Sequence, residues 1–245
     1  GPLNTHPFAY RGYHELAWLI NRFSQIARKN AMFDVCLSFL NRIYSLPNIE
    51  IHDAYMKLVE QSKCYLNTPE DLPTALEVIN ATNLNYFSNI QKAEFFALKG
   101  LTLSRLGMFE EANRIFAQSV QIDLNVGKGW SYWGAFNDFR FQQSHELPFA
   151  INAINCFLQA ATLFKVARSR RFLSRILWLL TFEDEAGSLG KSFEIYNNEL
   201  PVSFWLFFVP QLLVGLSRNE QKHCKFLLFK ICKSFPQVLH CIITL

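Results

Sequence analysis

The side chains most able to bind a metal ion form a small set near the end of the sequence. The set is His223-Cys224, Cys232 and His240-Cys241. Cys224 and Cys232 are eight positions apart, about two turns of a helix, so they could share one helical face. Zinc ligand pairs are usually closer, with about two to four residues between them. We therefore interpret these cysteines as core thiols and predict no metal site.

Catalytic groups are equally hard to find. Glu183-Asp184-Glu185 could form a carboxylate site, but a run of acids at a helix end is more typical of a solvated turn. His14 has the polar neighbours of a helix N-terminus, which favours a packing or capping role. The sequence contains no glycine-rich phosphate loop, nucleophile elbow, H-E-x-x-H or C-x-x-C motif. We predict no catalytic, cofactor-binding or metal-binding residues, and hence no enzymatic activity.

A basic run is the surface feature that could bind a partner. Its five residues lie within eleven positions: Lys165, Arg168, Arg170, Arg171 and Arg175. On a helix, Arg168, Arg171 and Arg175 share one face, which could dock an acidic segment or a phosphate backbone. The alternative is that these arginines are solvated or paired within the chain, for example with the acids at 183–185. Both interpretations stay open.

The composition favours a large helical protein. Half of the 245 residues are hydrophobic, 18% are charged, and there are 24 phenylalanines but 10 glycines. A stacked repeat array reconciles this richness with a length above the usual domain size of about 100–150 residues. The net charge of +4 is too weak to predict direct nucleic-acid binding. The six sparse cysteines indicate reduced core thiols of an intracellular protein.

Two segments need separate interpretation. Gly1-Pro2 resembles the scar of a removed tag, and no secretory h-region opens the chain. Residues 200–217 carry no charge and approach the length of a membrane span. Pro201, Pro210 and Gln211 interrupt this stretch. We therefore predict a buried central helix at 200–217 and no membrane association.

Apolar residues recur with a helical period from the start of the chain. Leu16, Ile20, Phe23 and Ala27 share one face of a predicted first helix. Further helices are predicted at about 32–46 and from about 49, and the run at 68–71 has the pattern of a capped helix start. Gly107 is predicted to end a helix. No stretch alternates for long enough to predict a strand, so the fold class is all-α.

A 34-residue repeat is the most informative pattern. The repeated positions are Phe96, Gly100, Ala112, Phe116, Trp130, Gly134, Ala153, Phe157 and Ala160. The spacing is that of tetratricopeptide repeats, with an insertion around 142–146. Glycine inside a helix costs about 1 kcal/mol relative to alanine, so two glycines at this spacing predict close approach of paired helices. The tryptophans could instead line a ligand pocket, although aromatic repeat positions are more often core.

The repeat pattern weakens outside this stretch and disappears after about residue 168, although helical periodicity continues. We predict a lead-in with a tag scar at 1–10, a tetratricopeptide-like part at 11–167 and HEAT-like helices at 168–245. Together these make an α-solenoid of helix pairs.

Several runs resemble one family beyond this generic repeat. They are Arg11-Gly12-Tyr13-His14, the runs at 16–23, 26–29, 34–36, 42–44, 46–51 and 91–96, Trp130-Ser131-Tyr132-Trp133-Gly134, and the run at 205–213. Together they resemble the FAT region of TRRAP-type pseudokinases, in the phosphatidylinositol-3-kinase-related family. The resemblance covers nearly the whole chain from Arg11.

The resemblance implies a short segment of a very large scaffold protein. Such proteins carry a kinase-like domain that has lost catalytic residues. Their FAT region wraps this domain. They belong to nuclear histone acetyltransferase complexes of the SAGA type and dock transcription activators. The expected partners are therefore the kinase-like domain of the same parent chain, complex subunits and activators, and the expected location is the nucleus. Two alternatives stay open: a FAT segment of an active related kinase, and a free-standing tetratricopeptide adaptor that binds peptides.

Overall fold

Every regular element of the described chain is helical. The computed structural model describes residues 7–218 and 220–237, with side chains from Arg11 onward. Within these ranges there are 12 α-helices and no strands, which confirms the all-α fold class. None of the helices in the described part has the length and apolar character needed to cross a bilayer. The chain divides into two compact units, Gly1–Asp123 and Leu124–Leu245.

The first unit is a succession of helices packed on their neighbours. Its helices are α1 (Pro7–Lys29), α2 (Phe33–Asn41), α3 (Ile51–Tyr65), α4 (Leu72–Ala81), α5 (Asn89–Arg105) and α6 (Phe109–Ile122). Each packs on the next in sequence, and α3 also contacts α1 and α5. One apolar cluster, including Ile20 and Leu40, lies under α1–α3, and a second, including Tyr55 and Phe95, lies under α3–α5.

Helix ends in this unit follow local sequence signals. Ser88 and Gln91 form a reciprocal capping box at the start of α5. Gly107 has a φ of +79°, and the Met108 N–H donates to the Leu103 carbonyl, so the predicted helix end is confirmed. The predicted helix start at 68–71 is only partly right. The Thr68 hydroxyl donates to the Asp71 side chain, and a 3-10 turn (Pro69–Asp71) precedes α4.

The second unit has its own continuous core. Its helices are α7 (Gly127–Ser144), α8 (Leu147–Leu163), α9 (Val166–Leu180), α10 (Ser188–Asn197), α11 (Val209–Gly215) and α12 (Gln221–Ser234). Phe157, Leu173, Phe193, Trp205 and Ile231 are among the buried members of this core. The insertion predicted around 142–146 lengthens α7, which ends where His145 adopts a φ of +57°.

The prediction of one buried central helix at 200–217 is wrong. The chain forms a 3-10 segment (Val202–Phe208) and then the separate helix α11. Pro210 lacks a backbone N–H, so it fits the first turn of a new helix better than the interior of a long one. Trp205 and Leu212 are buried, whereas Phe207 and Val214 are more than half exposed.

The repeat glycines occupy equivalent places in two helix pairs. A Cβ on Gly100 in α5 would lie 2.7 Å from Cδ1 of Phe116 in α6, and a Cβ on Gly134 in α7 would lie 2.7 Å from Cδ1 of Phe157 in α8. Ala112, Ala153 and Ala160 are completely buried, and Phe96 and Trp130 are half-buried. In each pair a phenylalanine ring occupies the volume that a side chain at the glycine would need.

Candidate interaction surface on α9

The basic run lies on the first three turns of α9. Lys165 is the N-cap residue, and the first turn contains no acidic residue. Arg168, Arg170 and Arg171 are exposed, and Arg175 is half-buried. The structure therefore places the three predicted arginines on one helix but in different environments.

Arg175 is paired within the chain. Its Nε donates to Asp138 Oδ2 at 2.8 Å and its Nη2 donates to Asp138 Oδ1 at 2.7 Å. The Asp138 side chain is only 10% exposed. This bidentate ion pair joins α9 to α7, and such pairs satisfy both oxygens of a carboxylate. The charge of Arg175 is therefore largely neutralised by Asp138 and not by the acids at 183–185.

All four arginines lie over aromatic rings, and the guanidinium carbon of Arg175 is 3.9 Å from the ring centre of Trp178. The guanidinium carbon of Arg168 lies 3.7 Å from the centre of the Phe164 ring, that of Arg170 lies 4.3 Å from Phe207, and that of Arg171 lies 5.1 Å from Phe172. A cation–π contact attracts the guanidinium to the ring without neutralising its charge.

Two of the acids at 183–185, Glu183 and Asp184, cap the start of α10. Glu183 accepts the backbone N–H groups of Leu189 and Gly190 at 2.9 and 2.6 Å. Asp184 accepts the backbone N–H and the hydroxyl of Ser188, both at 2.7 Å. The bonds from Ser188 lower the pKa of Asp184. The run does form a turn between α9 and α10, but Glu183 and Asp184 are half-buried in it and fix the start of a helix.

The structure describes three of the candidate metal ligands near the end of the chain, His223, Cys224 and Cys232. His223 is buried and its Nε2 lies 2.8 Å from Glu183 Oε2. Burial raises the pKa of the Cys224 thiol to about 11, and Cys232 is half-buried. His240 and Cys241 lie outside the described residues. Within those residues, His223, Cys224 and Cys232 form no three-ligand group.

A charged seam that the sequence analysis missed joins α1 to α3. His14 Nδ1 lies 2.7 Å from Asp53 Oδ2 and 3.5 Å from Glu50 Oε2. About two turns further along α3, the fully buried Glu60 accepts a hydrogen bond from Arg28 Nε at 2.7 Å. The bond to Asp53 raises the pKa of His14. Ligand-type atoms of His14, Glu50 and Asp53 lie within 4.8 Å of one another, so the trio has the chemistry of a cation site, but the imidazole already satisfies the carboxylate.

A sequence signal for this seam exists. His14, Asn21 and Arg28 recur every seven residues, and so do Asp53 and Glu60. A seven-residue period keeps side chains on one face of a helix. Each of the three α1 residues contacts α3, since the Asn21 amide donates to the Asp53 carbonyl at 3.0 Å. The polar side of α1 therefore faces another helix.

The opposite side of α1 is apolar and exposed. Leu16, Leu19, Phe23 and Ile26 are 44–53% exposed. Phe23 stacks on Phe39 of α2 with ring centres 5.6 Å apart. We call these four residues the α1 apolar stripe. Large exposed apolar patches mark interaction sites.

The chain has paired helices with glycine–phenylalanine contacts between them, and it has an uncovered apolar stripe. These features place it in the class of α-helical repeat proteins. Comparison of its sequence with known families makes the assignment specific. Residues 2–178 match the model of the FAT domain family. Since this match covers most of the sequence, the chain belongs to the FAT domain family.

The most informative relatives are much longer proteins. The chain is 53% identical over 239 residues to the SAGA complex/NuA4 acetyltransferase complex subunit TRA1 of Saccharomyces cerevisiae, which covers 97% of the chain and 6% of that relative. It is 51% identical to the corresponding Tra1 subunit of Schizosaccharomyces pombe, with the same coverage. It is 35% identical over 237 residues to the human transformation/transcription domain-associated protein, covering 95% of the chain and 6% of that protein. The chain therefore spans a small part of these relatives.

Proposed function

We propose that this chain is a non-catalytic scaffold segment of a nuclear histone acetyltransferase coactivator complex. The observation that carries the proposal is 53% identity along 97% of the chain with a yeast subunit of the SAGA and NuA4 acetyltransferase complexes. Because this identity extends over nearly the whole of the present chain, we expect the chain and the matching part of the yeast subunit to share their surfaces. In the parent protein the segment supports the kinase-like domain and docks complex subunits or activators.

The environments of the polar side chains support the non-catalytic part of this proposal. His14 is bonded to Asp53, Glu60 to Arg28, and Glu183 to the start of α10 and to His223. Each of these groups joins one helix to another. A catalytic acid or base has to reach a substrate in a pocket, whereas these contacts stabilise the fold.

The α1 apolar stripe supports the docking part. Four large apolar side chains in about three turns are costly to expose, because burying each stabilises a structure by about 1.5–3 kcal/mol. A scaffold that holds other helices or subunits would cover them. The basic face of Arg168, Arg171 and Arg175 is proposed as a second docking surface, with Arg175 contributing mainly through its position beside Asp138.

The scaffold proposal is tested in the parent protein. We expect Leu19→Asp with Phe23→Asp to reduce the acetyltransferase-complex subunits that co-purify with the parent, at unchanged parent abundance. The matched control is Tyr86→Asp, since Tyr86 is 72% exposed and lies outside the stripe. The purified chain should show no ATP turnover and no acetyltransferase activity. Turnover by the purified chain, or an unchanged subunit profile in the stripe variant, would contradict the proposal.

A further inference from the structure

Two cysteine side chains meet between α2 and α3. Cys36 of α2 and Cys64 of α3 are both buried in the apolar cluster under α1–α3, and their thiols are hydrogen-bonded to each other. The Cys64 Sγ also lies 3.5 Å from the carbonyl oxygen of Phe33. Since Phe33 and Cys36 are three positions apart in α2, they lie on one side of that helix. Both sulfur atoms are therefore placed at the first turn of α2.

The buried thiols of the second unit have different surroundings. Burial raises the pKa of the Cys156 thiol, and burial together with the charge of Glu220 raises that of Cys224. Among the described residues, neither thiol is hydrogen-bonded to a second cysteine. The pairing of Cys36 with Cys64 therefore needs an explanation beyond the general burial of cysteine.

The charges around the pair favour a thiolate at Cys36. The hydrogen bond with Cys64 lowers the pKa of the Cys36 thiol, against the effect of burial, and the positive charge of Arg28 acts in the same direction as the bond. The same hydrogen bond raises the pKa of Cys64. Because the thiolate is the reactive form of cysteine, Cys36 is the nucleophile of the pair and Cys64 is the thiol that can react with it next.

A cavity connects the pair to the solvent. Its volume is about 410 Å³, and Cys64 lines it together with Met32, Phe33, Thr68 and Asp71. A water molecule needs only about 30 Å³, and hydrogen peroxide is little larger than water. A peroxide therefore fits the cavity beside the Cys64 side chain.

The first turn of α2, which forms one wall of this cavity, is weakly held. The helix has nine residues, and its N-cap residue Met32 makes no side-chain hydrogen bond. Ala31, which also lines the cavity, has a φ of +58°, a value that side chains other than glycine rarely adopt. Short, uncapped helix ends open at little cost in free energy. Opening of this turn gives a small oxidant access to Cys36.

We propose that Cys36 and Cys64 form a site of reversible oxidation that closes into a disulfide on reaction with a peroxide. The Cys36 thiolate attacks one peroxide oxygen, the O–O bond breaks, Cys36 becomes a sulfenic acid, and the released hydroxide takes up a proton to form water. The Cys64 sulfur then attacks the Cys36 sulfur. The S–S bond forms, the S–O bond breaks, and the hydroxide leaves as water with the Cys64 proton. In total two thiols are oxidised and one peroxide is reduced to two water molecules.

The test is peptide mapping by mass spectrometry of the purified chain before and after treatment with hydrogen peroxide. Free thiols are alkylated after unfolding and the digestion contains no reductant, so that any disulfide survives. We expect the peptides that contain Cys36 and Cys64 to be recovered joined, with the loss of two hydrogen atoms, and to be separated by a reductant. The oxidised chain should also melt at a higher temperature than the reduced chain, because the bond closes a loop within the first unit.

Cys36→Ser and Cys64→Ser should each abolish the joined peptide. The matched control is Cys232→Ser, since Cys232 is a half-buried thiol of the other unit, and it should give as much joined peptide as the wild-type chain. Cys156 is an internal control that should be recovered as an unmodified thiol.

The proposal would be overturned if Cys36 and Cys64 remained separate thiols, or became separate sulfinic acids, under a treatment that oxidises Cys232. A disulfide from either residue to a different cysteine would overturn it as well. The bond forms within the purified chain, so these results would leave the scaffold proposal intact.

Discussion

His14 lies on the side of α1 that faces α3, and its ring is bonded to a carboxylate that is almost completely buried. The same side of α1 carries Asn21 and Arg28, each bonded to α3. Charged groups this well shielded are rarely left unpaired, since desolvation of a lone charge is costly. At the scale of residues, the polar groups of the first unit therefore determine how two helices align.

The raised pKa of His14 gives a pH-dependent prediction. Its pKa in the folded chain lies above the ordinary value of 6.5, so the folded state holds the proton more tightly than the unfolded state. The stabilisation is fully present below the unfolded value and is lost as pH rises through the folded value. We expect His14→Asn to lower the melting temperature more at about pH 6 than at about pH 9, where the imidazole is neutral in both states.

Paired melting curves of the wild-type chain and His14→Asn across this range make the measurement, and nuclear magnetic resonance titration of the ring protons gives the pKa directly. His52→Asn serves as the control, since His52 is an exposed neighbour on α3. A melting-temperature difference that is constant with pH would mean that His14 contributes through packing alone.

The residue-level features differ in how far the sequence predicts them. Gly107 is predictable because a helix end with positive φ strongly favours glycine. The α1–α3 seam is not predicted by apolar periodicity, because polar residues on a helix are normally assigned to the solvent side. Glu183 also contacts His223, forty positions away, and nothing local indicates that contact. Pairs distant in sequence need the fold before they can be inferred.

At the scale of elements, the glycine–phenylalanine contact sets how closely α7 and α8 approach. In Gly134→Leu the added Cβ would lie 2.7 Å from Cδ1 of Phe157, which is too close for two carbon atoms. Overpacking of this kind costs about 1–3 kcal/mol, and we expect a clearly lower melting temperature by circular dichroism. An unchanged melting temperature would mean that the 34-residue spacing has no packing role.

The choice of control matters for that experiment. Gly187, at the start of α10, has a φ of +70°, so leucine there is strained even though a Cβ would have free space. Gly12 is the better control, because it lies in α1, is exposed and has no atom within 4 Å of a Cβ. Gly12→Leu should be neutral or stabilising by up to about 1 kcal/mol, from helix propensity alone.

Element boundaries show where local prediction stops. The segments that became α1 and α6 are long and carry clear apolar faces, so their existence follows from the sequence. The helix α7 follows instead from the repeat spacing, because its buried residues include Ser131, Asn137 and Asp138. Residues 200–217 carry no charge and are mostly apolar, and such a run gives no clear period from which to locate a break. Only Pro210 marks the place where the 3-10 segment ends and α11 begins. The division into a tetratricopeptide-like part at 11–167 and HEAT-like helices at 168–245 stays a prediction.

At the scale of the whole molecule, packing of helices accounts for the cohesion of both units. Within the described residues the cysteines are free thiols, and Cys36, Cys64, Cys156 and Cys224 are buried. Burial raises the pKa of Cys156 far above its ordinary value, which keeps the thiol protonated and unreactive. The core therefore has the features of one that folds through apolar contacts.

This view of the core gives a prediction for the intact chain. Far-ultraviolet circular dichroism should show a helix-dominated spectrum, and a metal chelator or a mild reductant should leave the melting temperature unchanged, because no structural metal or disulfide is expected to hold the core. Loss of helicity on adding the chelator would point to a metal at His14, Glu50 and Asp53 or near residue 240. Repeating the melt with His14→Asn would distinguish these two locations.

The contact of Gly134 with Phe157 also has a consequence for sequence variation among related proteins. The Phe157 ring occupies the space that a side chain at Gly134 would need. A larger residue at position 134 alone would therefore clash with the ring, and a smaller residue at position 157 alone would leave a cavity. Lineages that acquire alanine at the position of Gly134 should therefore carry a smaller side chain at the position of Phe157, and the same coupling should link Gly100 with Phe116. In an alignment of related proteins, the two positions of each pair should therefore covary, whereas exposed positions such as Gly12 should vary independently.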